Sequence, residues 1–100
     1  MLYQQGDILI RSVDKIPDSA KQTKIRPVIL AEGETTGHTH SVLDEVQAFV
    51  DSQITYIKAD KPFKIVHQEH NLVEIPGGLW SVSKVKEYDH FQEEARNVQD

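Results

Sequence analysis

The sequence predicts an all-β fold, a small β-barrel or sandwich of about seven short strands with a short C-terminal helix, in one domain spanning residues 1–100. Three features predict it: short apolar clusters spread along the chain, turn residues between them at regular spacing, and a single helix signal confined to the tail. Short strands of this kind protect their edges by closing into a barrel or stacking as two layers.

Gln5-Gly6-Asp7 reads as a turn feeding Ile8-Leu9-Ile10, which sets a first strand near residues 7 to 13. Asp14 to Thr23, with Pro17, Asp18 and Ser19, reads as a polar loop. Pro27 to Ala31 is a second apolar run, ended by Glu32-Gly33-Glu34. Ser41 to Val50 fits two periods, since Val42, Val46 and Phe49 suit a helix while Gln47 to Val50 suits the end of a strand. Strand is favoured, because Asp51-Ser52-Gln53 and then Ile54-Thr55-Tyr56-Ile57 read as a turn and a returning strand.

Ala59 to Pro62 is a loop, and Phe63 to His67 is a strand. Leu72 to Ile75 follows so soon that His67-Gln68-Glu69-His70 reads as a hairpin turn. Pro76-Gly77-Gly78 breaks the chain before Leu79 to Lys86, where Trp80 and Val82 share a face. In the tail Asp89 can cap a helix, with Gln92 three residues later and Phe91, Ala95 and Val98 as its apolar stripe.

Composition narrows the function classes. Net charge is −5, and the basic residues are scattered apart from Lys21, Lys24 and Arg26, and Lys84 and Lys86, so the positive stripe that phosphate contacts require is missing. Nucleic acid is not an expected partner. The chain has no cysteine, which rules out disulfides and thiolate ligands and leaves imidazole and carboxylate to hold any metal. The apolar run after Gly6-Asp7 is too short for a signal peptide or a membrane span. A soluble, cytoplasmic protein with no membrane partner is expected, and a small molecule, a second copy of the chain or another protein remain as partner classes.

The chemistry-bearing residues are the histidines. His38 and His40 are one residue apart at the start of a strand, so their side chains share a face and can chelate one cation, with Gly33 and Gly37 leaving room for a tight backbone path. His67 and His70 bracket the HQEH turn, where both rings can reach one point. Each pair alone is more often solvent-facing than metal-bound, but two chelating pairs match the three or four imidazole ligands that first-row metals take. The expected cofactor is a divalent transition metal: Zn, Fe, Mn or Ni. His90 has no partner in sequence and reads as surface. Glu34, Glu45 and Glu69 are placed to be a further ligand, an orienting partner or a general base, each against the simpler reading of a solvated charge.

GETTGHTHSVLDE, residues 33 to 45, resembles the first cupin motif: a glycine, a spacer, HxH, a few residues and a glutamate, set in a small double-layered β-barrel. The resemblance implies His38, His40 and Glu45 as metal ligands. The spacer is one residue short, and the glycine expected after the glutamate is replaced by Ser52. Pro76-Gly77-Gly78 matches the PxG of the second motif, but Ser81 stands where its histidine belongs, so His67 or His70 must substitute or the barrel is of another kind. Over most of its length the chain also resembles small hypothetical proteins of bacteria and phages. The shared marks are Gln5-Gly6-Asp7, Ala31 to His40, His67 to His70, Pro76 to Gly78 and Glu87-Tyr88, and no activity comes with them.

Three functions follow as expectations. The first is a metal-binding β-barrel, catalytic if a ligand position stays open to water and structural if four histidines close the shell, with Glu45, Glu69 and Tyr56 as further polar groups. No nucleophile arrangement, phosphate loop or dinucleotide fingerprint is present. The second is a metal-free, acidic interaction module, in which Trp80, Tyr88 and Phe91 would anchor a partner if strand and helix spacing did not assign them to the core. A histidine pH switch ranks last, because clustered rings without metal would oppose like charges at acid pH.

Overall fold

The computed structural model describes residues 1–32 and 38–85. The expected C-terminal helix with His90, Tyr88 and Phe91, and also Gly33, Glu34 and Gly37, lie outside the described residues. Among the described residues ten strands run in order: β1 (Leu2–Gln5), β2 (Ile8–Ser12), β3 (Lys21–Thr23), β4 (Val28–Glu32), β5 (Thr39–Val42), β6 (Gln47–Asp51), β7 (Ile54–Ala59), β8 (Phe63–Val66), β9 (Val73–Ile75) and β10 (Gly78–Lys84). They form two antiparallel sheets, one of six strands in the order β1-β2-β10-β7-β6-β3 and one of four in the order β4-β5-β8-β9. Neither sheet closes into a barrel. All-β is therefore correct, and of the two expected architectures the open, two-sheet one is observed.

The expected count of about seven strands is corrected to ten among the described residues. β1 was missed because its two buried residues, Gln4 and Gln5, are polar, so no apolar alternation shows. β3, Lys-Gln-Thr, has no apolar residue at all and owes its existence to backbone pairing with β6 at the sheet edge, where a lysine suits an exposed strand. The segment 41–50 is two strands, β5 and β6, with the connection 43–46 between them.

The core lies between the sheets. Ile8 and Ile10 of β2, Ala48 of β6, Ile57 of β7, and Trp80 and Val82 of β10 meet Val28 of β4, Val42 of β5, Phe63 and Ile65 of β8, and Val73 and Ile75 of β9 in one buried cluster. Alternation places these residues: on β10 Trp80 and Val82 are buried while Ser81 between them turns outward. Trp80 is thus core, its indole N–H donating to the Pro76 carbonyl at 2.9 Å and its ring edge-on to Tyr3. Among the described residues no helix is long and apolar enough to cross a membrane.

Two hairpins turn on two residues. Gln5 pairs with Ile8, so Gly6-Asp7 forms the β1–β2 turn, with Gly6 at φ +55° as its first residue. Asp51 pairs with Ile54, and Ser52 takes φ +56° at the equivalent place. Position 52 is where the cupin resemblance expects a glycine, and the backbone there adopts a conformation that favours one.

Candidate metal centre

The β1–β2 turn of the six-stranded sheet meets the start of β5 and the end of β8 of the four-stranded sheet, and the histidines gather at that junction. His40, on β5, is fully buried. Its Nδ1 lies 2.8 Å from Oε1 of Gln5, which is equally buried, and its Nε2 lies 2.9 Å from Oδ1 of Asp7. Gln5 also joins the sheets, since its amide nitrogen donates to the carbonyls of Ile65 at 2.9 Å and Asn71 at 3.0 Å. The backbone of Asp7 is held in turn by Val85, whose N–H donates to the Asp7 carbonyl.

The other three rings stand above His40. β5 and β8 pair Ser41 with Val66, so His40 and His67 follow opposite one another at the ends of their strands. The His40 and His67 ring centroids are 4.4 Å apart, His67 and His70 are 4.6 Å apart, His38 and His67 are 5.7 Å apart, and His40 and His70 stack 6.0 Å apart. Thr39 fastens the HQEH segment to β5, its N–H donating to Gln68 Oε1 at 3.0 Å. Exposure rises from buried His40 through the half-buried His38 and His67 to exposed His70. The His70 ring lies directly over Gly6, where any added Cβ would sit 2.7 Å from His70 Cδ2 and closer still to Nε2.

The rings differ in what their nitrogens already do. The Glu69 N–H donates to His67 Nδ1 at 3.0 Å, so that nitrogen carries no proton in this arrangement. His38 Nδ1 is buried without a hydrogen-bond partner, although Glu69 Oε1 is 3.3 Å away, which is near enough for an ion pair but poorly aligned. Burial pushes the His40 pKa below its ordinary value, with the Asp7 hydrogen bond opposing and the His67 and His70 charges adding to the shift. His67 is lowered as well, first by desolvation and then by His70 and His38. Among the described residues no group of three or more His, Cys, Asp or Glu side chains is disposed to hold a metal ion as the side chains stand.

The four histidines picked out by spacing are therefore brought together in space. Their HQEH segment is a looser connection than a four-residue turn, since β8 ends at Val66 and β9 begins at Val73. Glu45 is not brought to them. It is exposed in the β5–β6 connection, and Asp44 beside it accepts from the Lys64 N–H, which sets this stretch at the far end of β5 and β8 from His67. Ser81 faces outward from the six-stranded sheet, so a histidine there would not reach the cluster from β10. Of the other carboxylates considered, Glu69 stands beside His38 at the rim.

Two polar residues at the site, Gln5 and Asp7, read in the sequence as turn residues and as a mark of the resemblance, not as site residues. The available signal was the QGD triplet itself, whose three residues here contact His40, His70 and His40 in turn. No curated protein and no solved structure matches the chain. A family model described as a domain of unknown function, DUF8820, matches residues 4–85, a span that runs from the strand carrying Gln5 to the residue that holds the Asp7 backbone. The chain belongs to that family.

Proposed function

We propose that the protein binds one divalent transition metal, Zn, Fe, Mn or Ni, between the two sheets, with His40 at the base and His38, His67 and His70 above it. The convergence of four imidazoles from two separate segments carries this reading. A metal about 2.0–2.1 Å from each ligating nitrogen of a tetrahedral shell sets imidazole centroids about 5 Å apart, and the ring separations of 4.4 to 6.0 Å bracket that spacing. The Nδ1 of His38, buried and without a hydrogen bond although the Glu69 carboxylate lies 3.3 Å away, supports it further, because a buried nitrogen that makes no hydrogen bond is costly. Glu45 has no part in this site.

A bound cation supplies Lewis acidity and a water of lowered pKa. The residues of the chain set the rest: His40 is oriented by Gln5, the HQEH connection adjusts around the ion, and exposed His70 leaves a path from solvent for a small molecule. For His67 to ligate, either its Nδ1 exchanges the Glu69 N–H for the metal or its proton moves, so the connection must shift locally. The HxH pair at the start of β5, with His40 on the strand and His38 just before it, and the positive φ at Ser52 support a cupin-like relationship as part of this proposal, with the ligand set changed. A cysteine-free chain fits the cytoplasm.

Elemental analysis of untagged protein tests the reading, alongside uptake of Zn, Fe, Mn and Ni by the metal-free form. About one equivalent is expected, lost in the His38→Ala/His70→Ala variant, with a thermal midpoint that falls on adding chelator. If none of the four metals is taken up and chelator leaves the midpoint unmoved, the proposal is wrong.

A further inference from the structure

Gln5 has no freedom in how its amide lies. Its nitrogen donates to two backbone carbonyls, and turned over it would set its own oxygen against both of them. Oε1 therefore faces His40 Nδ1 as an acceptor, and Nδ1 carries the proton. That leaves the Nε2 lone pair of a neutral His40 aimed at Asp7 Oδ1 across 2.9 Å. Two acceptors at that distance repel unless a proton lies between them or a metal ion beside them bonds both.

On the metal reading above, on which this step rests, we infer that Asp7 is the carboxylate ligand of the centre and Gln5 the positioning residue that presents His40 Nε2 to the ion. Adjacent ligand atoms about 2.1 Å from one metal are about 3 Å apart at an octahedral angle and about 3.4 Å apart at a tetrahedral one. The 2.9 Å spacing matches the octahedral case. Mixed imidazole and carboxylate donors at that angle suit Mn, Fe or Ni better than tetrahedral Zn, and such a shell keeps positions for water or a small oxygen-bearing ligand. The QGD triplet then has one role per residue: Gln5 sets the tautomer, Gly6 makes room for the His70 ring, and Asp7 ligates.

Calorimetric titration of the metal-free protein with Mn and Zn tests this in the wild type, Asp7→Asn and Glu45→Gln. Loss of a direct ligand is expected to exceed the roughly 10- to 100-fold typical of residues behind the ligands, so Asp7→Asn should weaken Mn binding by more than about 100-fold, with Glu45→Gln unchanged. Nitrogen-15 spectra of histidine-labelled wild type give a readout that survives even if Asp7→Asn fails to fold. In the metal-free protein His40 should show a protonated Nδ1 and a proton shared between Nε2 and Asp7, and Nε2 should lose that proton and its signal move when Zn is added. Asp7→Asn binding as tightly as wild type, or a His40 Nε2 that stays protonated with Zn bound, would overturn the assignment while leaving a metal centre in place. No uptake by the wild type would remove both.

Discussion

At the base of the cluster both ring nitrogens of His40 are partnered within a buried network that ties the two sheets together, whereas at the rim His70 is exposed and rests on a glycine. The base is held by groups that can lie only one way. The rim is carried by the largely exposed connection between β8 and β9. A binding centre benefits from both, because one fixed ligand sets the position of an ion and adaptable ones complete its shell without strain in the empty state.

Removing the fixed end should have the largest effect. His40→Ala leaves Gln5 Oε1 and Asp7 without their shared partner in a buried site and opens a cavity, so a loss of about 3 kcal/mol in denaturant unfolding is expected, together with loss of metal uptake. A loss below about 1 kcal/mol would show that the base is no more rigid than the rim.

Gly6→Ala attacks the joint between the two ends. A methyl group at φ +55° is strained and collides with the His70 ring, so about 2 kcal/mol of stability should be lost and His70 displaced. Thermal unfolding of the metal-free variant reads the first effect, and the His70 ring signals in its NMR spectrum read the second.

Acid should weaken the cluster more gently. The pKa values of His40 and His67 are both lowered in the folded state, chiefly by desolvation, so below about pH 6.5 the unfolded chain binds more protons than the folded one. Stability is fully present above that pH and declines as the pH falls through the lower folded-state values. Unfolding measured between pH 7.5 and 5 should show this, and His40→Ala should flatten it. A profile that rises toward acid would mean that the Asp7 carboxylate holds His40 charged.

The smallest change is expected at the rim. His70→Ala in the metal-free protein should alter stability by no more than about 0.5 kcal/mol, as for other exposed positions, while metal affinity falls. A large loss of stability without metal would place His70 among the residues that hold the fold.

Much of the fold could be read from the chain because most strands carry the period-two alternation of a half-buried sheet. β7 buries Thr55, Ile57 and Ala59, and β8 buries Phe63 and Ile65, as their patterns require. β1 and β3 escaped because pairing with a neighbour, not side-chain character, makes them strands. The four histidines were legible through their spacing. Glu45 was misleading for the opposite reason, since closeness in sequence to His40 carries it away along the strand and past its end.

What the sequence by itself determined is local: the strand class, the turns, the absence of thiol chemistry, and two histidine pairs each able to converge. Which groups stand beside those pairs was decided only when the sheets packed. Gln5 and Asp7 lie 35 and 33 residues from His40 and meet it because the β1–β2 turn of one sheet abuts the first strand residues of the other. A polar side chain in a turn is ordinary in water. At the junction of two sheets, with Gln5 buried and Asp7 half-buried, the same side chains set the tautomer of a histidine and the chemistry it can present.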